Sequence, residues 1–296
     1  MTKFLEHRKK PRIPKKSIVV FYHADCTDGF TAAWVAWKKF GNSAEFIAHF
    51  HEDEPAAIRG KHIYTLDLTF PEKITKRLMR DNISVTAIDH HISTKLVALM
   101  TDNPVFALDH SGSTLAWKNF FPKEAPPKFL LNVEDWDLWR KKLPDSQVLY
   151  AYLDLLDFNF KTWSRLIRDF EIPLKRKKIL NSGNILLKYQ EKVVERHVNK
   201  NAKLVEFEGY KVYAINETFF ISEIGAKLAR LLPPFAIVWN ENKDGRISVS
   251  LRGVGKVDLS LIAKKHGGGG HKDSAAFRLP SLRNIPWRPI QQNKNG

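Results

Sequence analysis

Acids and imidazoles recur in this chain at the ends of short apolar runs. Residues 85–91 read Val-Thr-Ala-Ile-Asp-His-His, so an apolar, β-branched run passes directly into Asp89, His90 and His91. Residues 17–22 are also apolar and β-rich, and they break into a segment holding His23, Asp25, Cys26, Asp28 and Gly29. The shorter run 63–66 is followed directly by Asp67. Residues 130–139 place Asp135 and Asp137 near the end of another apolar stretch. Of these two, Asp135 is the better ligand candidate, because the apolar residues before it anchor its backbone. Taken singly, each of these residues reads better as a capping Asp or a satisfied core His. Gathered in one place, carboxylates and imidazoles can hold divalent cations such as manganese, and no thiolate set argues for a structural zinc.

What must gather them is the fold. Between the runs lie helical patterns: residues 30–40, closed by Gly41, and a second from Pro71 to Arg80, with Thr69 placed to cap it. Strand, helix, strand, helix, strand is the grammar of a parallel, doubly wound α/β sheet. Ligands of such sheets collect beyond the carboxyl ends of the strands. His23, Asp28, Asp67, Asp89, His90 and His91 are therefore expected along one rim. A short strand at 105–108 and a helix at 115–121 continue the pattern. Trp34, Trp136 and Trp139 lie close to these residues in sequence, where core packing is the simpler role and base stacking the alternative.

With 296 residues, 43% of them hydrophobic, the chain is long enough for two domains with a sizeable core. The boundaries read from it are a basic tail (1–16), a first domain (17–160), a helical connector (161–202), a smaller α+β domain (203–282) and a polar, proline-bearing tail (283–296) expected to be extended or disordered. In the second domain, β-like runs fall at 204–207, 211–215, 235–239 and 246–251, with helices at 221–232 and 259–265. No apolar run approaches the roughly 20 residues that span a bilayer, and residues 1–16 lack the apolar core of a secretory signal, so a cytoplasmic location is expected. A single cysteine, Cys26, excludes an intramolecular disulfide. It is expected to fill a small apolar niche rather than act as a nucleophile. A net charge of +16 favours polyanionic partners. That charge is concentrated at Arg8, Lys9, Lys10, Arg12, Lys15 and Lys16, at residues 175–178, and at Arg278, Arg283, Arg288 and Lys294.

Residues 266–271 read His-Gly-Gly-Gly-Gly-His. Consecutive glycines expose backbone N–H groups and let an anion approach them closely, though a flexible turn would look the same. Lys264, Lys265 and Lys272 flank the loop. Gly267, Gly268, Gly269 and Gly270, with His271 as a clamp and Arg252 as a bidentate donor, form the candidate phosphate-binding set.

The order His23-x-Asp25-x-x-Asp28-Gly29, Asp67, Asp89-His90-His91, Asp135 and a late Gly-Gly-Gly-Gly-His resembles the DHH superfamily of phosphoesterases with its C-terminal DHH-associated domain. Within that superfamily, the segments around Cys26 to Trp37 and Glu134 to Trp139 are most similar to the oligoribonuclease (nanoRNase) branch. The resemblance implies two divalent metal ions, usually Mn²⁺ with Mg²⁺ or Co²⁺ as substitutes, held between two domains. Carried over position by position, the ligands would be His23, Asp28, Asp67, His90 and Asp135, with Asp67 bridging and Asp25 a further candidate. Asp89 and His91 would orient His90 and the attacking water or contact phosphate. The chain departs from the family in its first motif: many relatives carry two aspartates one residue apart, whereas the residues at that spacing from Asp28 are Cys26 and Phe30. The expected activity is metal-dependent hydrolysis of short RNA, short single-stranded DNA or nucleotide phosphoesters to nucleoside 5′-monophosphates. The alternatives are a single-strand exonuclease, a cyclic-dinucleotide or polyphosphate hydrolase, and a nucleic-acid-binding protein without catalysis. A homodimer is an open assembly state.

Overall fold

In β1 (Ile18–His23), Val19 and Phe21 face one side of a sheet while Ile18, Val20 and Tyr22 face the other, and a separate core forms on each side. Two buried faces explain why the run is apolar throughout rather than alternating. The computed structural model describes residues 14–50 and 54–290. Arg8, Lys9, Lys10, Arg12 and Lys294 lie outside the described residues. Two compact units divide at Leu187 and Lys188.

In the first unit the order is β1, α1 (Thr27–Phe40), β2 (Ala44–His49), β3 (His62–Leu66), α2 (Glu72–Asp81), β4 (Ser84–Asp89), α3 (Lys95–Ala98), β5 (Val105–Phe106), α4 (Gly112–Phe120), α5 (Lys128–Asp137), α6 (Ser146–Leu153), α7 (Phe160–Glu171) and the start of α8 (Pro173–Asn201). The sheet order is β2-β1-β3-β4-β5 and every pairing is parallel. The chain leaves β1 for β2 on one side and returns to β3 on the other, so the strand order reverses between β1 and β3. A crevice at such a switch point is where open α/β sheets place ligands. Leu78 of α2 closes one face with Ile58, Leu68 and Phe70. α1, α4, α5, α6 and α7 close the other through Phe30, Trp34, Trp117, Phe129, Leu149, Trp163 and Phe170. Each such side chain contributes roughly 1.5–3 kcal/mol by leaving water.

The second unit holds the end of α8, β6 (Lys203–Phe207), β7 (Tyr210–Asn216), α9 (Ile221–Leu231), β8 (Phe235–Glu241), β9 (Ile247–Gly253), α10 (Leu259–Lys265), β10 (Gly269–Gly270), β11 (Ser274–Leu279) and β12 (Arg288–Pro289). Its sheet runs β10-β11-β9-β8-β7-β6-β12, antiparallel except for β7 against β8, which α9 connects. Val194 and Val198 of α8 pack with Ile224 and Leu228 of α9 on one face of this sheet, and Leu259 and Ile262 of α10 cover the other.

Several local expectations change. β2, β11 and β12 were not legible in the pattern. Thr69 does not cap α2, whose N-cap is Pro71; its hydroxyl donates instead to Asp89. The expected extended or disordered tail is pinned through residue 290, because Trp287 is buried in the second core and residues 288–289 pair with β6. Residues 291–296 lie outside the described residues. Among the described residues, no helix is long and apolar enough to cross a membrane.

Candidate metal centre

β1, β3 and β4 are neighbours, and their carboxyl ends deliver His23, Asp67 and Asp89-His90 to one rim of the first unit. Asp67, immediately after β3, is at the centre. Its backbone takes a left-handed conformation (φ 53°), its N–H donates to Ile88 O at 2.9 Å, and it is 1% exposed. A non-glycine residue held in that region is strained, and such strain gathers where surrounding contacts over-determine a functional geometry. Asp67 Oδ2 lies 3.4 Å from His23 Nδ1 and 3.3 Å from Cys26 Sγ, while Oδ1 lies 3.1 Å from His90 Nε2 and 3.8 Å from His91 Nδ1.

Asp28 comes from the first turn of α1 and is fully buried. It accepts from Ser111 Oγ at 2.7 Å and Ser113 N at 3.2 Å, and Ser111 is the N-cap of α4. Gly112, between them, permits this approach: a Cβ there would sit 2.7 Å from Asp67 Cβ and 3.0 Å from Asp28 Oδ2. Gly29 does the same for the start of α1, where a Cβ would come 2.6 Å from His23 O. From the end of α5, Asp137 brings a third carboxylate, its Oδ2 3.5 Å from His90 Nε2.

Burial of three carboxylates together decides their charge. Desolvation pushes Asp28 up to about 6, reinforced by the negative Asp67. Desolvation and repulsion from Asp28 likewise push Asp137 well above the usual carboxylate range. Burial also opposes ionisation of Asp67, but hydrogen bonds from His23 and His90 outweigh it and hold its carboxyl well below that range. Burial disfavours the imidazolium of His90, yet the bond to Asp67 and the charge of Asp137 prevail and raise it to about 10. His91, partly exposed, is raised to about 9, because its bond to Asp89 outweighs desolvation.

Ligand atoms of His23, Cys26 and Asp67 lie within 4.8 Å of one another, as do those of Asp67, His90 and His91, and those of Asp28, His90 and Asp137. Asp137 Oδ2 is buried without a hydrogen-bond partner among the described residues. Self-repelling buried acids with an unsatisfied oxygen, interleaved with imidazoles, fit a divalent cation of the oxygen- and nitrogen-preferring kind.

Of the sequence candidates, His23, Asp28, Asp67, His90 and His91 come together. Asp25 does not. Its backbone turns left-handed (φ 51°), its side chain is exposed, and it belongs to none of the three groups. Asp135 does not either: it accepts from Lys142 N, Leu143 N and Ser146 Oγ and ties down the turn after α5. The carboxylate that reaches the site from this segment is Asp137, two residues on and so on another face of the helix. Asp89 is a fully buried acceptor for Thr69 Oγ1, Thr94 Oγ1, His90 N and His91 Nδ1, holding the turn that aims both histidines. Cys26, expected in an apolar niche, instead sits among carboxylates. Ser111 and Ser113 were missed. Trp34 and Trp136 are core residues, while Trp139 is 36% exposed beneath Lys141 Nζ.

In the second unit, the glycines divide by role. Gly269 and Gly270 pair with β11, and a Cβ at Gly268 would lie 2.1 Å from Ala276 O. Gly270 (φ 137°) would place one 2.6 Å from Ser274 O. Packing alone demands glycine at 268 and 270. Gly267 (φ 76°) has nothing within 4 Å of its Cβ position. His266 stacks on Phe277 and its Nε2 lies 2.9 Å from Glu208 Oε1, while the N–H of His271 donates to Ser274 O at 2.7 Å. Arg252 donates to Ser222 Oγ at 3.2 Å and to Leu251 O at 3.0 Å, and Gly225 makes room for its stem.

Residues 223–287 match the DHHA1 domain. An uncharacterized protein, R106, of Acanthamoeba polyphaga mimivirus is 25% identical over 311 residues, spanning 94% of this chain and 73% of that protein. Among solved structures, the pGpG-specific phosphodiesterase PggH of Vibrio cholerae superposes with a TM-score of 0.51 at 13% identity, covering 91% of this chain and 95% of that one. RecJ of Thermus thermophilus, solved with Mn²⁺, gives 0.48 at 12% identity over 88% of this chain and 49% of its own. Residues 223–287 therefore match the DHHA1 domain, and the two-unit α/β architecture is similar in fold to that of PggH.

Proposed function

We propose that this chain is a metal-dependent phosphodiesterase acting on short oligoribonucleotides or similar nucleotide phosphoesters and releasing nucleoside 5′-monophosphates. The observation that carries the reading is the convergence of Asp28, Asp67 and Asp137 with His23, His90 and His91 on one strand rim. The description of PggH as specific for pGpG supports a short substrate, because the two chains share a fold along nearly their whole lengths.

His23, Asp28, Asp67, His90 and Asp137 would hold divalent cations, with Asp67 presenting one oxygen to each side. When bound, such cations polarise a phosphoryl oxygen and lower the pKa of a water toward neutrality. The chain's own groups then supply order. Asp89 fixes His91 through Nδ1 at 2.7 Å, and His91, 24% exposed at the rim, is presented to a phosphoryl oxygen. Ser111 and Ser113 hold Asp28 in one orientation. Such preorganisation places charge where it develops in the transition state without later rearrangement. In the second unit, the backbone at Gly267 and the guanidinium of Arg252 would be donors suited to a phosphate, supplying position rather than chemistry.

A ladder of 5′-labelled RNAs from dinucleotides upward, incubated with Mn²⁺, tests this. Turnover fastest on the shortest species, with 5′-monophosphate products and loss on Asp67→Ala, is expected. Binding without turnover would reject catalysis, and undiminished cleavage of long strands would favour an exonuclease.

A further inference from the structure

We propose that Cys26 Sγ is itself a metal ligand, so that the His23–Cys26–Asp67 corner is a mixed thiolate, imidazole and carboxylate site preferring a softer cation than manganese. This rests on the metal-dependent reading above and specifies one corner of it. The backbone makes the choice of side chain. At Asp25 the chain takes a left-handed step that leaves its carboxylate exposed, and the next residue returns to an extended conformation (φ −119°, ψ 127°) as the N-cap of α1. The side chain that arrives at the site is therefore the thiol. Sγ lies 3.3 Å from Asp67 Oδ2, the oxygen that also faces His23 Nδ1, and the three ligand atoms are within 4.8 Å of one another. They come from three separate elements: the end of β1, the cap of α1 and the residue after β3.

The surroundings are wrong for an inert buried cysteine. Those are apolar, whereas Cys26 is ringed by Asp67, Asp28 and Asp137. Burial, reinforced by Asp67, Asp137 and Asp28, pushes the Cys26 thiol well above its usual range in the metal-free chain, while the N–H of Gly29 points at Sγ from 3.4 Å. On ligation the S–H bond breaks, its proton leaves to solvent, and a sulfur–metal bond replaces the hydrogen bond to Asp67 Oδ2. That oxygen is then available to the same ion. Thiolate donors shift selectivity toward zinc, cobalt or ferrous iron and away from manganese and magnesium.

The test uses the full chain stripped of metal and reloaded with Co²⁺, read by absorption. A sulfur-to-cobalt charge-transfer band in the near ultraviolet, beside the visible ligand-field bands, is expected for the wild type. In Cys26→Ser, which keeps an N-cap oxygen for α1 and so retains the fold, the charge-transfer band should vanish while ligand-field bands persist. Cys26→Asp should lower Zn²⁺ affinity relative to Mn²⁺ by at least the roughly 10–100-fold that even an outer-sphere partner is worth. Ligand-field bands without charge transfer in the wild type, or identical spectra in Cys26→Ser, would overturn the assignment while leaving a metal site standing. No Co²⁺, Zn²⁺ or Mn²⁺ binding by the wild type would overturn both.

Discussion

His90 Nε2 stands between two carboxylates, 3.1 Å from Asp67 Oδ1 and 3.5 Å from Asp137 Oδ2, so the acid that follows β3 and the acid that ends α5 share one imidazolium. Asp135, on the same helix as Asp137, instead holds two backbone amides and a hydroxyl. The two acids should therefore fail differently. Asp137→Asn removes a group that burial already keeps protonated in the metal-free protein, so its melting temperature with chelator should stay near that of the wild type. Its metal affinity and turnover should collapse. Asp135→Ala strands buried donors and should cost ~1–3 kcal/mol in urea unfolding. Comparing metal titration with unfolding for both variants checks the assignment, and equal metal loss in both would contradict it.

Protons and cations compete for the same atoms. His90, raised to about 10, and His91, raised to about 9, carry protons at neutral pH in the metal-free chain. Their folded pKa lies above the unfolded value near 6.5, so their stabilising contribution is complete below that pH and lost as pH rises through about 9 to 10. Metal-free protein should accordingly lose stability across this alkaline window. A cation must displace the His90 proton, so its affinity should rise with pH over the same range. Melting curves with chelator and with Mn²⁺ should thus diverge as pH increases, and calorimetry in buffers of different ionisation enthalpy should register released protons. Metal binding without proton release would contradict the geometry.

The sequence exposed the strand ends because a buried parallel strand is apolar throughout, and an acid or imidazole directly after it is conspicuous. His23, Asp67 and Asp89-His90-His91 were visible for that reason. β2 was not: Ala44, Glu45 and Ala48 dilute its β-branched signal, and its place is fixed by pairing with β1. The error between Asp135 and Asp137 has a similar origin. Successive helical residues turn by about 100°, so the apolar neighbours that anchor Asp135 also aim it away from the rim. Thr69 looked like a cap because its spacing to α2 was right, but the buried Asp89 was the stronger claimant for its hydroxyl. Trp287 shows the converse: one buried side chain orders a segment whose composition suggests disorder.

Asp89 should matter more for architecture than for chemistry. Its carboxylate accepts from Thr69, Thr94, His91 and the N–H of His90, and despite full burial these bonds bring it down to about 2. A folded pKa below the unfolded value gives stability that is present above about 4 and lost as pH falls toward 2. Asp89→Asn should destabilise the protein by ~1–3 kcal/mol near neutrality. That difference should shrink in acid, where the wild type is protonated too. Denaturant unfolding of both proteins at neutral and acidic pH measures this, and a difference independent of pH would show that the charge of Asp89 is not what holds the turn.

The glycine loop offers a separation of packing from ligand binding. A methyl at Gly268 would collide with Ala276 O and the backbone of Phe277. Gly268→Ala should therefore destabilise the second unit by about 1–3 kcal/mol or more, as overpacking does, whatever the loop binds. Gly267 has open space at its Cβ position, and its only constraint is a left-handed backbone that costs a non-glycine residue ~1–2 kcal/mol. If its backbone meets a phosphate, the methyl of Gly267→Ala occupies the space through which the anion approaches. The expected result is a raised KM for short RNA with kcat preserved, because positioning is lost and the carboxylates of the first unit are untouched. Steady-state kinetics on the two variants, with melting temperatures alongside, decide the matter. A Gly267→Ala enzyme with wild-type KM would reduce the glycine run to a packing device against β11.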